Sequence, residues 1–311
     1  MVKVKMILGL FAASFLVCTQ VVCAEESTMQ TTNVQKEGQA EQGVVVPAQI
    51  NSAEPLTLEQ VANVEKEGQM ELGITDISYG YQKYTTSGVT GENTFTDIRV
   101  PLFVRYGIMS DLEIKLLVPY RSTKFTTTQI GVSESSNSGL GQVSIGLKYN
   151  LIPESDDVPG ISISASSELP TADAKKYLGT GTNVYGTLII GKAIEGINVN
   201  LNAGYGYTGE FTNASDAKQN NGDVIYGGLA IGCSIDEFTP IIEISGTTIG
   251  KAKVSGTEYA TNGNTFDAIA GLRYKMDDLK LKLGFVYALG DATYTSYTWK
   301  AIGGATYLFN L

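Results

Sequence analysis

Residues 197–207 read Ile197-Asn-Val-Asn-Leu-Asn-Ala-Gly-Tyr-Gly-Tyr207, and this stretch decides the fold. Ile197, Val199, Leu201, Ala203, Tyr205 and Tyr207 alternate with Asn198, Asn200, Asn202, Gly204 and Gly206. Successive side chains of a strand point to opposite faces, so this spacing sorts the residues into one apolar and one polar face. A helix would scatter them around its axis. Leu279 to Leu289 repeats the pattern, with Leu279, Leu281, Leu283, Phe285, Tyr287 and Leu289 against Lys280, Lys282 and Gly284. Val143 to Leu151 does the same, with Ser144, Gly146, Lys148 and Asn150 on its polar face.

Working outward, weaker alternation predicts further strands near 69–83, 93–106, 112–121, 160–168, 183–193, 224–234, 238–248, 265–275 and 296–311, about twelve in all. Most span ten or more residues, the length of a tilted transmembrane strand and well beyond the roughly 5–6 of soluble strands. The connections alternate. Short ones fall at 107–111, 152–158, 194–196, 235–237 and 276–278. Long ones, rich in Thr, Ser, Asn and Gly, fall near 84–92, 122–138, 169–182, 208–223 and 249–264, with a shorter one at 290–295. Short turns at one end and long loops at the other mark an outer-membrane barrel. A soluble sandwich also alternates apolar and polar residues but has no reason for ends that differ so regularly. Unpaired backbone groups in lipid cost several kcal/mol each, so such a sheet must close on itself. The expected fold is therefore all-β: an antiparallel up-and-down transmembrane β-barrel of about twelve strands over 69–311.

The aromatic residues agree. Tyr79, Tyr81, Tyr106, Tyr120, Tyr149, Tyr205, Tyr207, Tyr274, Tyr287, Tyr297 and Phe309 fall at strand ends, where two interfacial girdles would lie. In the last strand Trp299, Ala301, Gly303, Ala305, Tyr307, Phe309 and Leu311 share one face. That pattern looks like the signal read by the barrel-assembly machinery, with Leu where Phe is more usual.

Residues 1–24 read as an export signal. Lys3 and Lys5 precede an apolar core from Met6 to Val17, and Val22-Cys23-Ala24 offers small residues for cleavage. An uncleaved anchor helix is the alternative. Cleavage removes two Lys and no acid, leaving 20 basic against 32 acidic residues, net −12. Cys233 alone then remains, so no intrachain disulfide can form. Residues 25–68 form a polar, aromatic-free periplasmic segment. In it NVQKEGQAEQGV (33–44) recurs as NVEKEGQMELGI (63–74), identical at eight of twelve positions. The segment reads either as a disordered leader or as a piece that docks a partner or plugs a pore.

Ser138-Gly-Leu-Gly-Gln-Val-Ser-Ile-Gly-Leu-Lys-Tyr149, Glu168-Leu-Pro-Thr171 with Gly179-Thr-Gly181, Asn202-Ala-Gly-Tyr205 and Gly303-Gly-Ala-Thr-Tyr307 carry a resemblance. Together they resemble the family named for a meta-pathway of phenol degradation, over roughly 70–311. The resemblance implies an outer-membrane barrel labelled as a transporter, and an aromatic solute. It supplies no ligand or catalytic residues.

Composition closes several routes. There is no His, so neither a Ser–His hydrolase pair nor a His-containing zinc site can be assembled. No basic patch offsets the net charge of −10, which excludes nucleic acid as the expected partner. No Gly-x-x-x-x-Gly-Lys-Ser/Thr loop is present. No enzymatic activity, metal or cofactor is expected. The expected partners are outer-membrane lipid, the assembly machinery and a small-molecule solute. Charge facing lipid near the midplane costs about 2–4 kcal/mol for Lys or Arg, so charges on strands should face the lumen. Parity puts Asp97, Arg99, Arg105, Glu113, Lys115, Lys148, Glu168, Glu243, Asp267, Arg273, Lys280 and Lys282 there. They form either a rigidifying ladder of pairs or a pore lining. The expected function is a passive outer-membrane channel for small, hydrophobic or aromatic solutes. The alternative is a non-conducting barrel that presents its outer loops.

Overall fold

The computed structural model describes residues 64–84, 93–128, 133–258, 263–289 and 297–311. The expected export signal and the polar segment up to Asn63 lie outside the described residues. Twelve long strands make the barrel. They are β1 (Gln69–Tyr84), β2 (Asn93–Met109), β3 (Leu112–Thr127), β4 in two pieces (Ser133–Leu140 and Ser144–Ile152), β5 (Gly160–Glu168) and β6 (Asn183–Ile194). β7 (Ile197–Thr208), β8 (Val224–Cys233), β9 (Phe238–Ile249), β10 (Gly263–Met276), β11 (Leu279–Ala288) and β12 (Trp299–Asn310) follow. Each pairs antiparallel with its neighbours in sequence, and β1 also pairs with β12, from Gln69 opposite Asn310 to Tyr81 opposite Trp299. The sheet has no edge, so its main strands leave no row of backbone donors and acceptors for lipid to strand.

Burial along the strands is inverted relative to a water-soluble protein. Leu283 is 69% exposed while its neighbour Lys282 is 8% exposed, and Leu201 is 48% exposed beside Asn202 at 3%. A soluble fold hides the Leu and shows the Lys. Here the apolar face looks out and the polar face looks in, which is stable only if the surroundings are hydrocarbon.

At the short-turn end, β6 and β7 meet through Glu195 and Gly196, both at positive φ (49° and 84°). That is the geometry of a type I′ hairpin, whose twist matches the flanking strands. Aromatic rings collect on the outer face at both ends. Trp299 lies 5.6 Å from Tyr79 and 5.8 Å from Tyr81 across the β1–β12 seam, and 5.9 Å from Phe285 on β11. Phe238 with Tyr274 and Tyr307 with Phe309 do the same at the opposite end.

Three expectations need correction. The stretch 122–138 is not mainly loop: β3 runs on to Thr127 and β4 begins at Ser133. Its Thr- and Ser-rich sequence lacks an apolar face, yet Thr fits a strand, and pairing continues from Ser122 opposite Ser138 to Thr127 opposite Ser133. Tyr297 does not join a girdle. It precedes β12, packs against Ile269, Val286 and Ile302, and donates to Asp267 Oδ2 at 2.8 Å. Two of the long connections also carry strands of their own. The 208–223 and 249–264 connections build a small sheet from Phe211–Thr212, Lys218–Asn220, Lys253–Val254 and Thr257–Glu258.

Candidate functional site in the barrel interior

All twelve charged residues singled out by parity are buried or half-buried. At the short-turn end they form one network. Arg105 bridges Glu71, reaches Glu65 at 2.7 Å and Glu113 at 3.8 Å. Lys148 pairs with Glu113 at 3.1 Å, and Lys280 with Glu71 at 3.0 Å. At mid-height Lys282 pairs with Asp76 at 2.8 Å. Nearer the long loops, Asp97 accepts from Arg121 Nε at 2.8 Å and Nη2 at 3.2 Å. Glu168 accepts from Asn183 Nδ2 at 2.8 Å, and Asp267 from the Tyr297 hydroxyl. Arg99, Lys115 and Arg273 are half-buried and Glu243 is 1% exposed.

The interior holds further polar residues beyond these twelve. Glu71 lies between Met70 and Leu72, and Lys300 between Trp299 and Ala301, so parity alone could have found both. Alternation ends the third strand at Arg121, but β3 continues past it. Asp76 could not have been found that way. A bulge shifts the β1 register between Ile74 and Ile77, and Asp76, at φ 52°, turns inward where simple alternation fails.

A second irregularity shapes the interior. β4 breaks between Leu140, opposite Tyr120, and Ser144, opposite Leu117. Its backbone is satisfied from elsewhere: Gly141 N donates to Pro119 O at 2.8 Å, and Val143 N to Thr171 Oγ1 at 2.9 Å. The break carries Gln142, 2% exposed, to the inside. Its amide oxygen accepts from Thr180 N at 2.9 Å, and its amide nitrogen donates to Gly181 O at 2.8 Å. The connection between β5 and β6 is thereby drawn in. Its short 3-10 helix, Ala174–Lys176, is capped by Asp173, and Leu178 beyond it is 3% exposed. Arg121 Nη1 donates to Tyr177 O at 3.1 Å. This loop narrows the interior near the long-loop end.

Gln142→Ala therefore removes the inner anchor of the loop and leaves Thr180 N without its acceptor. Losing a buried partner costs about 1–3 kcal/mol, and each 1.4 kcal/mol is tenfold in the released population. Tryptic cleavage after Lys175 or Lys176 in the folded barrel should accelerate accordingly, at unchanged overall stability to urea.

The opposite wall differs. Tyr185 and Tyr226 lie on the inner face, 3% and 7% exposed, packed with Val224 and Ile249. The Tyr226 hydroxyl sits 2.7 Å from Thr187 Oγ1. Tyr185 comes against Gly206 and Tyr226 against Gly204, where any Cβ would collide with the rings. The interior thus has a charged arc on β1–β4 and β11–β12, and a more neutral arc of rings and amides on β6–β9.

No family model and no curated protein matches the chain. Solved structures do. An outer membrane channel from Pseudomonas putida F1 is 12% identical, aligned over 80% of this chain and 98% of that one, with a TM-score of 0.66. The translocator domain of the autotransporter NalP from Neisseria meningitidis is 11% identical over 79% of this chain and 90% of that one, with a TM-score of 0.50. At such identities the likeness is one of fold. With the apolar outer face, the two aromatic girdles and the closed twelve-stranded sheet, the fold is that of a bacterial outer-membrane β-barrel.

Proposed function

We propose that this protein is a passive outer-membrane channel for small solutes, with the charged interior as its lining. One observation carries the reading. The inner face bears charged and amide side chains at every height, and its apolar clusters are confined to patches between them. Twelve strands lie between the filled eight-stranded barrels and the wide sixteen-stranded porins, so a narrow pore is the expected size. The aromatic solute implied by the sequence resemblance is consistent with rings set among the polar groups: Phe95, Phe103, Tyr185 and Tyr226. On this reading residues 1–24 direct export, residues 25–63 stay on the periplasmic side while 64–68 enter the barrel mouth, and β12 is presented to the assembly machinery.

Single-channel recording on the refolded chain in a planar bilayer tests this. Discrete steps are expected, and Lys282→Glu or Arg99→Glu should shift the reversal potential in a KCl gradient toward cation selectivity, since each reverses a charge on the lining. A folded, inserted barrel that passes no current would instead make this an anchor for its outer loops.

A further inference from the structure

The strap Val64–Gly68 precedes β1 and lies against the inner wall at the short-turn end. Gly68 N donates to Gly107 O at 3.0 Å, and Glu67 bridges to Gly107 in parallel. A Cβ on Gly107 would stand 2.1 Å from Lys66 O and 2.5 Å from Glu65 O, so only glycine leaves room for the strap. Glu65 N donates to Glu113 Oε2 at 2.8 Å, and the Glu65 carboxylate reaches Arg105 Nη2 at 2.7 Å and Lys280 Nζ at 3.7 Å. The guanidinium itself is held over the Phe103 ring, 5.7 Å from its centroid.

The charges in this network are informative. Among the described residues, the barrel strands contribute three cations to these pairs, Arg105, Lys148 and Lys280, and two carboxylates, Glu71 and Glu113. The third carboxylate comes from a segment that belongs to no barrel strand. We propose that Arg105 and Lys280 form a binding site for the carboxylate of a small anionic solute, which Glu65 fills in the resting state as a tethered stand-in. The proposal rests on the channel reading for its purpose. Carboxylate is the chemistry that fits, because a guanidinium presents paired N–H donors in a planar fork and the neighbouring ammonium adds charge. A tethered group competes at a millimolar effective concentration, so an incoming solute must displace it.

Calorimetric titration with sodium benzoate tests the site on the refolded full chain in detergent micelles. Three proteins are compared: the unmodified chain, Glu65→Ala, and Glu65→Ala with Lys280→Gln. Glu65→Ala is expected to bind benzoate at least about tenfold more tightly than the unmodified chain, because its competitor is gone. Adding Lys280→Gln should lose at least tenfold of that. Equal affinity in all three, or no binding in Glu65→Ala, overturns the proposal. If Glu65→Ala fails to show the heat-modifiable mobility of a folded barrel, Glu65→Gln takes its place with the same criteria. Calorimetry reads binding whether or not the barrel conducts. A silent barrel that binds benzoate keeps the site and refutes the channel, whereas a conducting barrel with no Glu65-dependent binding does the reverse.

Discussion

Glu71→Gln is expected to destabilise the barrel by about 3–5 kcal/mol, the cost of breaking a buried ion pair by removing one partner. Glu71 is 0% exposed. It accepts from Arg105, from Lys280 at 3.0 Å and from Thr306 Oγ1 at 2.5 Å, so it joins β1 to β2, β11 and β12 at the seam where the sheet closes. The amide keeps the shape and the bond to Thr306, but it leaves two cations facing each other with one fewer counter-charge. Trp299 is the one Trp in the chain and sits in the outer girdle, so its fluorescence follows insertion and unfolding without added labels. Urea titration of the lipid-inserted barrel should show the midpoint fall. A change under about 1 kcal/mol would place the pair in the range of solvent-exposed salt bridges and mean that interior water screens this network.

The second large effect comes from the opposite face. Leu283→Arg is expected to cost about 2–4 kcal/mol, because Leu283 lies mid-strand on β11 and points outward into hydrocarbon. Ile225→Arg, on a side chain 62% exposed near the long-loop end of β8, should cost about 0–1 kcal/mol, since an arginine there reaches the interface. In water both would be ordinary surface changes, worth about 0.5 kcal/mol or less. Refolding yield into vesicles, read by heat-modifiable mobility, separates the cases. Equal tolerance of both substitutions would contradict a lipid-facing surface.

How far these sites could be read in advance depends on how local their determinants are. Lys148, Lys280 and Lys282 were legible because alternation within their own strands assigns them a face. Glu71 and Lys300 are legible on the same ground. Strand lengths were underread where the apolar face ran out: β3 past Arg121 carries Ser122, Lys124 and Thr126 outward and lacks the pattern that marks a lipid face, yet its pairing continues. Gln142 gave no signal, because its role depends on a strand break and on a loop 38 residues away.

The sequence by itself determined that about twelve strands form, which face of most of them is apolar, and which end carries long loops. These are consequences of period-two patterning and turn composition, and both act within a few residues. Only the tertiary structure decided which charges meet. Arg105 finds Glu65 and Glu71, and Lys280 finds Glu71 from 209 residues away, because the β1–β12 pairing sets the register in which the barrel closes. Asp76 reaches Lys282 through a bulge, and the Glu65 strap enters through the space left by Gly107. Such contacts are fixed by closure and by local breaks in alternation, and no window of sequence contains both partners.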